Sequence, residues 1–115
     1  MKQHGARVWL VNTGWSGGGY GVGGRIKLAH TRVILDAIHG GALSGAKTKR
    51  DPLFGFDVVI ECPGVPPEIL WPRDTWADKA AYDAAAKKLA RLFVDNFKKY
   101  EGGAGAEVRA AAPSV

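Results

Sequence analysis

Between residues 14 and 24, seven of eleven positions are glycine, and Arg25 and Lys27 follow at once. Glycine at this density permits positive φ angles and lets backbone approach a ligand closely, and the cations behind it suit an anionic one. Residues 19–24 read GYGVGG and satisfy G-x-G-x-x-G after an apolar run, the setting of a dinucleotide loop. In so glycine-rich a stretch the match is nearly unavoidable. The acidic residue that should contact a ribose is also misplaced, since Asp36 comes too early and Asp51 too late. A phosphate loop of the form G-x-x-x-x-G-K-[ST] is absent, because Gly24 is followed by Arg25 and Ile26.

Other chemistry is sparse. Cys62 is the only cysteine, so no internal disulfide can form and no thiolate zinc set is available; before the turn at Pro63 and Gly64 it reads as a small, partly buried apolar residue. His4, His30 and His39 lack metal-ligand spacing, and no pair of carboxylates falls in a loop cluster suited to acid and base work. The net charge of +5 is localised: residues 1–35 carry five basic side chains (Lys2, Arg7, Arg25, Lys27, Arg32) and no acidic one. From Asp36 onward eleven basic residues balance eleven acidic ones, so the excess belongs to the segment holding the glycine loop and favours a polyanionic ligand there. Nucleic acid fits less well, because the excess is small and the aromatics fall on apolar stripes or in strands.

The elements that must position these residues follow from periodicity. Residues 7–12 are apolar, β-branched and aromatic, and predict a buried strand. Residues 31–39 place Ile34, Leu35 and Ile38 on one helical face, with Gly40 and Gly41 as the stop. Residues 47–50 read as a polar turn or the start of a strand, and residues 53–56 and 58–60 as one or two strands leading to Cys62. Pro63, Pro66, Pro67 and Pro72 then impose an extended connector. Asp78 predicts an N-cap for a helix whose stripe is Tyr82, Ala86, Leu89, Phe93, Phe97 and Tyr100. Asp83 with Lys87, Arg91 with Asp95 and Asp95 with Lys99 lie at i,i+4 on its wetter side, and Gly102 and Gly103 end it. The fold class expected is α/β, with mixed sheet strands and two or more packed helices. The longest apolar runs are too short to span a bilayer or form a signal-peptide core, so no membrane association is expected and the compartment expected is the cytoplasm.

Several blocks, in order, resemble one family. Residues 8–15 (VWLVNTGW), 20–23 (YGVG), Arg25 and Ile26, Thr31 and Arg32, 51–55 (DPLFG), 62–66 (CPGVP), Pro72 and Arg73, 75–79 (TWADK) and 92–97 (LFVDNF) are similar to the closing section of ATP-dependent phosphoenolpyruvate carboxykinases. The resemblance implies a lyase of gluconeogenesis that uses ATP to convert oxaloacetate to phosphoenolpyruvate, carbon dioxide and ADP, with Mg2+ and Mn2+ assisting. It implies that residues 1–103 are a portion of the mobile C-terminal nucleotide-binding domain, with residues 104–115 a loosely held tail.

Arg25 and Ile26 match the pair lining the family's adenine pocket, one by its side chain and the other by its backbone, and Thr31 matches a hydroxyl that contacts the base. The family's phosphate loop, metal ligands and oxaloacetate contacts lie upstream of where this sequence starts, so no catalytic or metal-binding residue is expected in this chain and its isolated activity is expected to be nil. Two positions depart: Gly24 stands where the family usually has lysine, and Trp71 where asparagine is common before Pro-Arg. The alternative function is a free-standing nucleotide- or anion-binding module, acting with a complementary partner chain that supplies the rest.

Overall fold

The computed structural model describes residues 5–114. In chain order the elements are β1 (Trp15–Ser16), β2 (Gly24–Arg25), α1 (Leu28–His39), β3 (Thr48–Arg50), β4 (Asp57–Val59), α2 (Lys79–Phe97) and α3 (Ala106–Ala110). The α/β character holds. The strands form two separate antiparallel pairs, β1 with β2 and β3 with β4, instead of one mixed sheet. The buried strand expected at residues 7–12 does not form. That segment is irregular and largely exposed, because a strand exists only where a neighbour takes up its backbone groups and none does so here among the described residues.

Helix α1 starts earlier than its apolar spacing suggests, at Leu28, with Lys27 at the N-cap and no side-chain cap bond. Its end is where the glycines put it. Gly41, at φ +79°, donates its N–H to Ile38 O at 3.2 Å, while Ala42 donates to Ala37 O at 2.9 Å. This is the paired 5→2 and 6→1 closure that a left-handed glycine permits. The helix buries Val33, Ile34, Ala37 and Ile38 against Leu43, Cys62 and Val65, and Leu35, expected on that face, is exposed.

The β3–β4 hairpin covers the other side of this core through Val59. Its loop explains why residues 53–56 are not a strand. Asp51 Oδ1 accepts from Leu53 N–H at 2.9 Å and Phe54 N–H at 2.7 Å, while Asp51 N–H donates to Phe56 O at 2.8 Å. These local bonds outcompete a ladder and account for the burial of the aspartate. After β4 the chain turns through Pro63 and Gly64, the latter at φ +80°, and Cys62 bridges to Val65. Cys62 is buried, as its apolar role requires, and burial pushes its thiol pKa up.

The proline-rich connector carries two short 3-10 helices, Pro67–Ile69 and Pro72–Thr75, and no α-helix. Lys49 Nζ lies 4.4 Å over the Trp71 ring and ties it to β3. Helix α2 opens at Asp78, whose carboxylate accepts from Ala81 N–H at 3.0 Å. It closes at Phe97, with Tyr100 beyond it and a 3-10 turn at Glu101–Gly103. The buried line along α2 is Ala86 and Ala90, whereas Leu89, Phe93 and Tyr100 of the expected stripe are exposed. Of its charges, Asp95 pairs with Lys98 at 3.1 Å, an i,i+3 contact, and Asp83 turns to Arg73. Within residues 104–114, Ser114 N–H donates to Leu53 O at 2.7 Å. No helix among the described residues is long and apolar enough to cross a membrane.

Arg73 grips Asp83 with two parallel bonds, Nε to Oδ1 at 2.8 Å and an Nη to Oδ2 at 3.0 Å, joining the connector to α2. That hydrogen bond is the main reason the Asp83 carboxyl titrates below its usual range. A carboxyl with a depressed folded pKa stabilises above its unfolded value, about 3.9, and loses that contribution as pH falls through the folded one. Thermal melts should therefore place Asp83→Asn below the parent at pH 6–7, with the gap closing as pH drops toward about 3. A gap independent of pH would show that the ion pair does not anchor the connector.

Candidate functional site

Asn12 sets the way into the glycine loop. Its Nδ2 donates to Trp15 O at 2.8 Å and its Oδ1 accepts from Gly14 N–H at 3.0 Å, an asparagine-closed turn that aims the chain into β1. Periodicity did not point to this role, which the side-chain bonds of Asn12 show. Trp15 then registers with Arg25, and Ser16 with Gly24. Between the strands the loop doubles back on itself so tightly that a Cβ on Gly23 would lie 2.5 Å from both Gly18 O and Ser16 O. Gly17, at φ +86°, abuts the Thr75 carbonyl, which sets the loop against the 3-10 helix Pro72–Thr75.

The loop's amides are partly spent on itself. Val22 and Gly23 both donate to Gly19 O, at 3.0 and 2.9 Å. A phosphate cradle needs such N–H groups pointing outward, so the structure supports the reading that G-x-G-x-x-G is incidental here.

Arg25, Ile26 and Thr31 all fall at the junction of β2 and the first turn of α1. Arg25 is exposed. Ile26 is half-buried and donates its N–H to Gly14 O at 2.8 Å, which leaves its carbonyl as the backbone group to meet a ligand. Thr31 is only 7% exposed, and its hydroxyl is buried without a hydrogen-bond partner. An unpaired buried hydroxyl costs about 1–3 kcal/mol, so it marks either a defect or a group awaiting its partner.

Cations dominate the surroundings: Arg25, Lys27 and Arg32 flank the helix start, and the first turn of α1 holds no acidic residue. Two aromatics that sequence reasoning did not single out stand beside them. Tyr20 is 97% exposed and stacks on Trp15, centroids 6.0 Å apart, on the strand that pairs with Arg25.

Catalytic groups do not converge here. His30 is half-buried in α1 and His39 exposed at its end, while Lys2 and His4 lie outside the described residues. No group of three or more His, Cys, Asp or Glu among the described residues could hold a metal ion, so these residues do not fit a divalent-metal site. Two open concave surfaces lie away from the β2–α1 junction, one beside Phe97, Tyr100 and Val108 and one beside Cys62 and Pro67.

A family model described as phosphoenolpyruvate carboxykinase matches residues 1–68. Among curated relatives, the phosphoenolpyruvate carboxykinase (ATP) of Thermus thermophilus is 57% identical over 113 residues, 98% of this chain and 21% of that protein. Those of Dictyostelium discoideum and Rubrobacter xylanophilus are each 54% identical, over 98% and 100% of this chain and 20% and 22% of their own lengths. The chain thus spans about a fifth of the length of the curated relatives it matches.

The orphaned hydroxyl yields a test that needs no ligand. Thr31→Val keeps the branched shape and removes the unpaired group, so urea denaturation should show the variant more stable by about 1 kcal/mol. A loss of stability would mean that the hydroxyl is already satisfied within the chain.

Proposed function

The chain belongs to the phosphoenolpyruvate carboxykinase family, and from that premise we propose that it is the closing section of an ATP-dependent enzyme, part of the C-terminal nucleotide-binding domain. The whole enzyme would act in the cytoplasm, in gluconeogenesis, on oxaloacetate and ATP to give phosphoenolpyruvate, carbon dioxide and ADP. This section supplies one edge of the adenine site. The remainder of the enzyme, in the same polypeptide or in a complementary chain, supplies the phosphate loop, the Mg2+ and Mn2+ ligands and the oxaloacetate contacts.

The observation that carries the nucleotide reading is the buried, unpartnered hydroxyl of Thr31, at the position where the resemblance puts a base-contacting threonine. Each residue then has a separable task. The Arg25 guanidinium lies over the face of the base. The Ile26 carbonyl accepts from the exocyclic amine of adenine; guanine offers an acceptor at that edge, and two acceptors repel. Thr31 completes the contact with its hydroxyl once the side chain turns outward, since in the chain alone that oxygen is closed off from solvent, and the field of Arg25, Lys27 and Arg32 draws the anionic nucleotide in. None of these groups moves a proton or a phosphoryl group. Transfer needs charge clamps on the moving phosphoryl, and they belong to the rest of the enzyme.

The departure at Gly24 is a handle on this reading. A Cβ at that position meets nothing within 4 Å, so Gly24→Lys restores the cation usual in the family without a clash. Titrated calorimetrically with the purified chain, ATP should bind better than GTP. Arg25→Ala should weaken ATP by about tenfold, the scale of a lost cation–π contact, and Gly24→Lys should tighten it by about fivefold, the scale of one added charge in water. Equal affinity in parent and Arg25→Ala would sink the adenine assignment. Oxaloacetate-dependent ATP consumption should be undetectable in the isolated chain, and robust turnover would refute the division of labour.

A further inference from the structure

Val22 donates its N–H to Gly19 O at 3.0 Å, so residues 19–22 form a turn with Tyr20 and Gly21 at its two corners. Gly21 carries φ +88° and Tyr20 has no positive φ, which is the pattern of a type II turn and puts Tyr20 at the tip of the loop. A Cβ on Gly19 or Gly21 would meet nothing within 4 Å, so the tip borders open space on both sides of the tyrosine. Tyr20 is accordingly 97% exposed, and Val22 beside it is exposed too.

The exposed ring still has a partner. It stacks on Trp15, with the planes 26° from parallel. Trp15 is the cross-strand partner of Arg25, and residues directly opposite in an antiparallel pair project from the same face. The loop therefore returns an aromatic ring to the face from which Arg25 projects, in a segment that has cations and, from Gly5 to Leu35, no acidic residue. An uncovered ring beside a cation suits a flat heterocycle with an anionic tail.

The contacts proposed above use one face and one edge of the base: the Arg25 guanidinium over the face, the Ile26 carbonyl and the Thr31 hydroxyl at the edge. They leave the second face in water. We infer that Tyr20 covers that second face, leaving Trp15 to stack on the base, which is then held between a guanidinium and a phenol ring. Gly19 and Gly21 permit the swing, since neither has a side chain and neither packs against a neighbour. Stacking tolerates any base, because every base has a π face, so Tyr20 sets how tightly a nucleotide is held while the Ile26 carbonyl sets which one. The role rests on the adenine reading of Arg25, Ile26 and Thr31.

Because so little of Tyr20 is buried, Tyr20→Ala leaves the fold intact, which the melting temperature checks. Calorimetric titration of the purified chain with ATP, GTP and inorganic triphosphate reads the role. Tyr20→Ala should weaken ATP and GTP by the same factor, about tenfold, and leave inorganic triphosphate unchanged. Tyr20→Phe should bind as the parent does, since the ring and not its hydroxyl makes the contact. Where the parent binds too weakly to titrate, the same series is run in a full-length chimera, with this sequence in place of the 113 matched residues of the Thermus carboxykinase. Equal ATP affinity in the parent and Tyr20→Ala, with Arg25→Ala weakened, would overturn the role of Tyr20 and leave the adenine reading standing. Equal affinity in all three, or no ATP binding by the parent in either protein, would overturn both. Loss of triphosphate binding alongside the nucleotides would also overturn the role, by showing that Tyr20 only shapes the loop.

Discussion

A Cβ at position 23 would fall 2.5 Å from the carbonyl oxygens of Ser16 and Gly18, and this forced closeness governs the half of the molecule that holds Arg25, Ile26 and Thr31. Because the backbone can fold that tightly only at glycine, β1 and β2 can be two residues long each and still pair. Their pairing brings Gly14 O to the N–H of Ile26 and so fixes where the chain leaves for α1. Arg25, Ile26 and Thr31 inherit their placement from that departure point. The glycines therefore act as geometry for the residues behind them, and the inward bonds to Gly19 O fit that role better than a direct grip on phosphate.

The rest of the structure hangs on a thin core. Leu43, Cys62 and Val65 are its buried apolar centre, with α1 on one side and the β3–β4 hairpin on the other, and no large side chain is fully enclosed. Longer-range order comes from individual polar links, such as Arg73 to Asp83 and Lys49 over Trp71. These bonds cross between elements remote in sequence, which is why helix-spacing arguments missed them: Asp83 has Lys87 four residues on, but the connector presents a guanidinium whose fork fits both carboxylate oxygens.

Features set by local chemistry were legible. The Asp78 cap, the glycine end of α1 and the burial of Cys62 depend on residues within a turn or so of one another, so spacing suffices to find them. Residues 7–12 and the Leu89 and Phe93 stripe were misjudged for one shared reason. Periodicity reports an apolar pattern, and it is silent on whether this chain holds the atoms to cover it. The turn at Asp51 failed differently: its carboxylate captures two amides that a strand would have needed, and the Asp-Pro pair was the available signal. At the site, the identities of Arg25, Ile26 and Thr31 came from resemblance, while Asn12 and the Trp15–Tyr20 stack emerged only from three-dimensional contact.

The glycine at position 24 separates what the loop needs from what the nucleotide needs. Gly23 next to it is required by backbone collision, but Gly24 borders open space and has no positive φ, so no steric demand selects glycine there. Its effect is chemical: it removes a cation from a neighbourhood that keeps Arg25, Lys27 and Arg32. Three remaining charges preserve the long-range pull on an anion, because the field sums over all of them, whereas a contact made by one ammonium at one phosphate oxygen has no substitute nearby. On the proposed adenine reading, the loss would fall on the anionic end of the ligand and would leave base recognition by a carbonyl, a hydroxyl and a π-facing guanidinium unchanged.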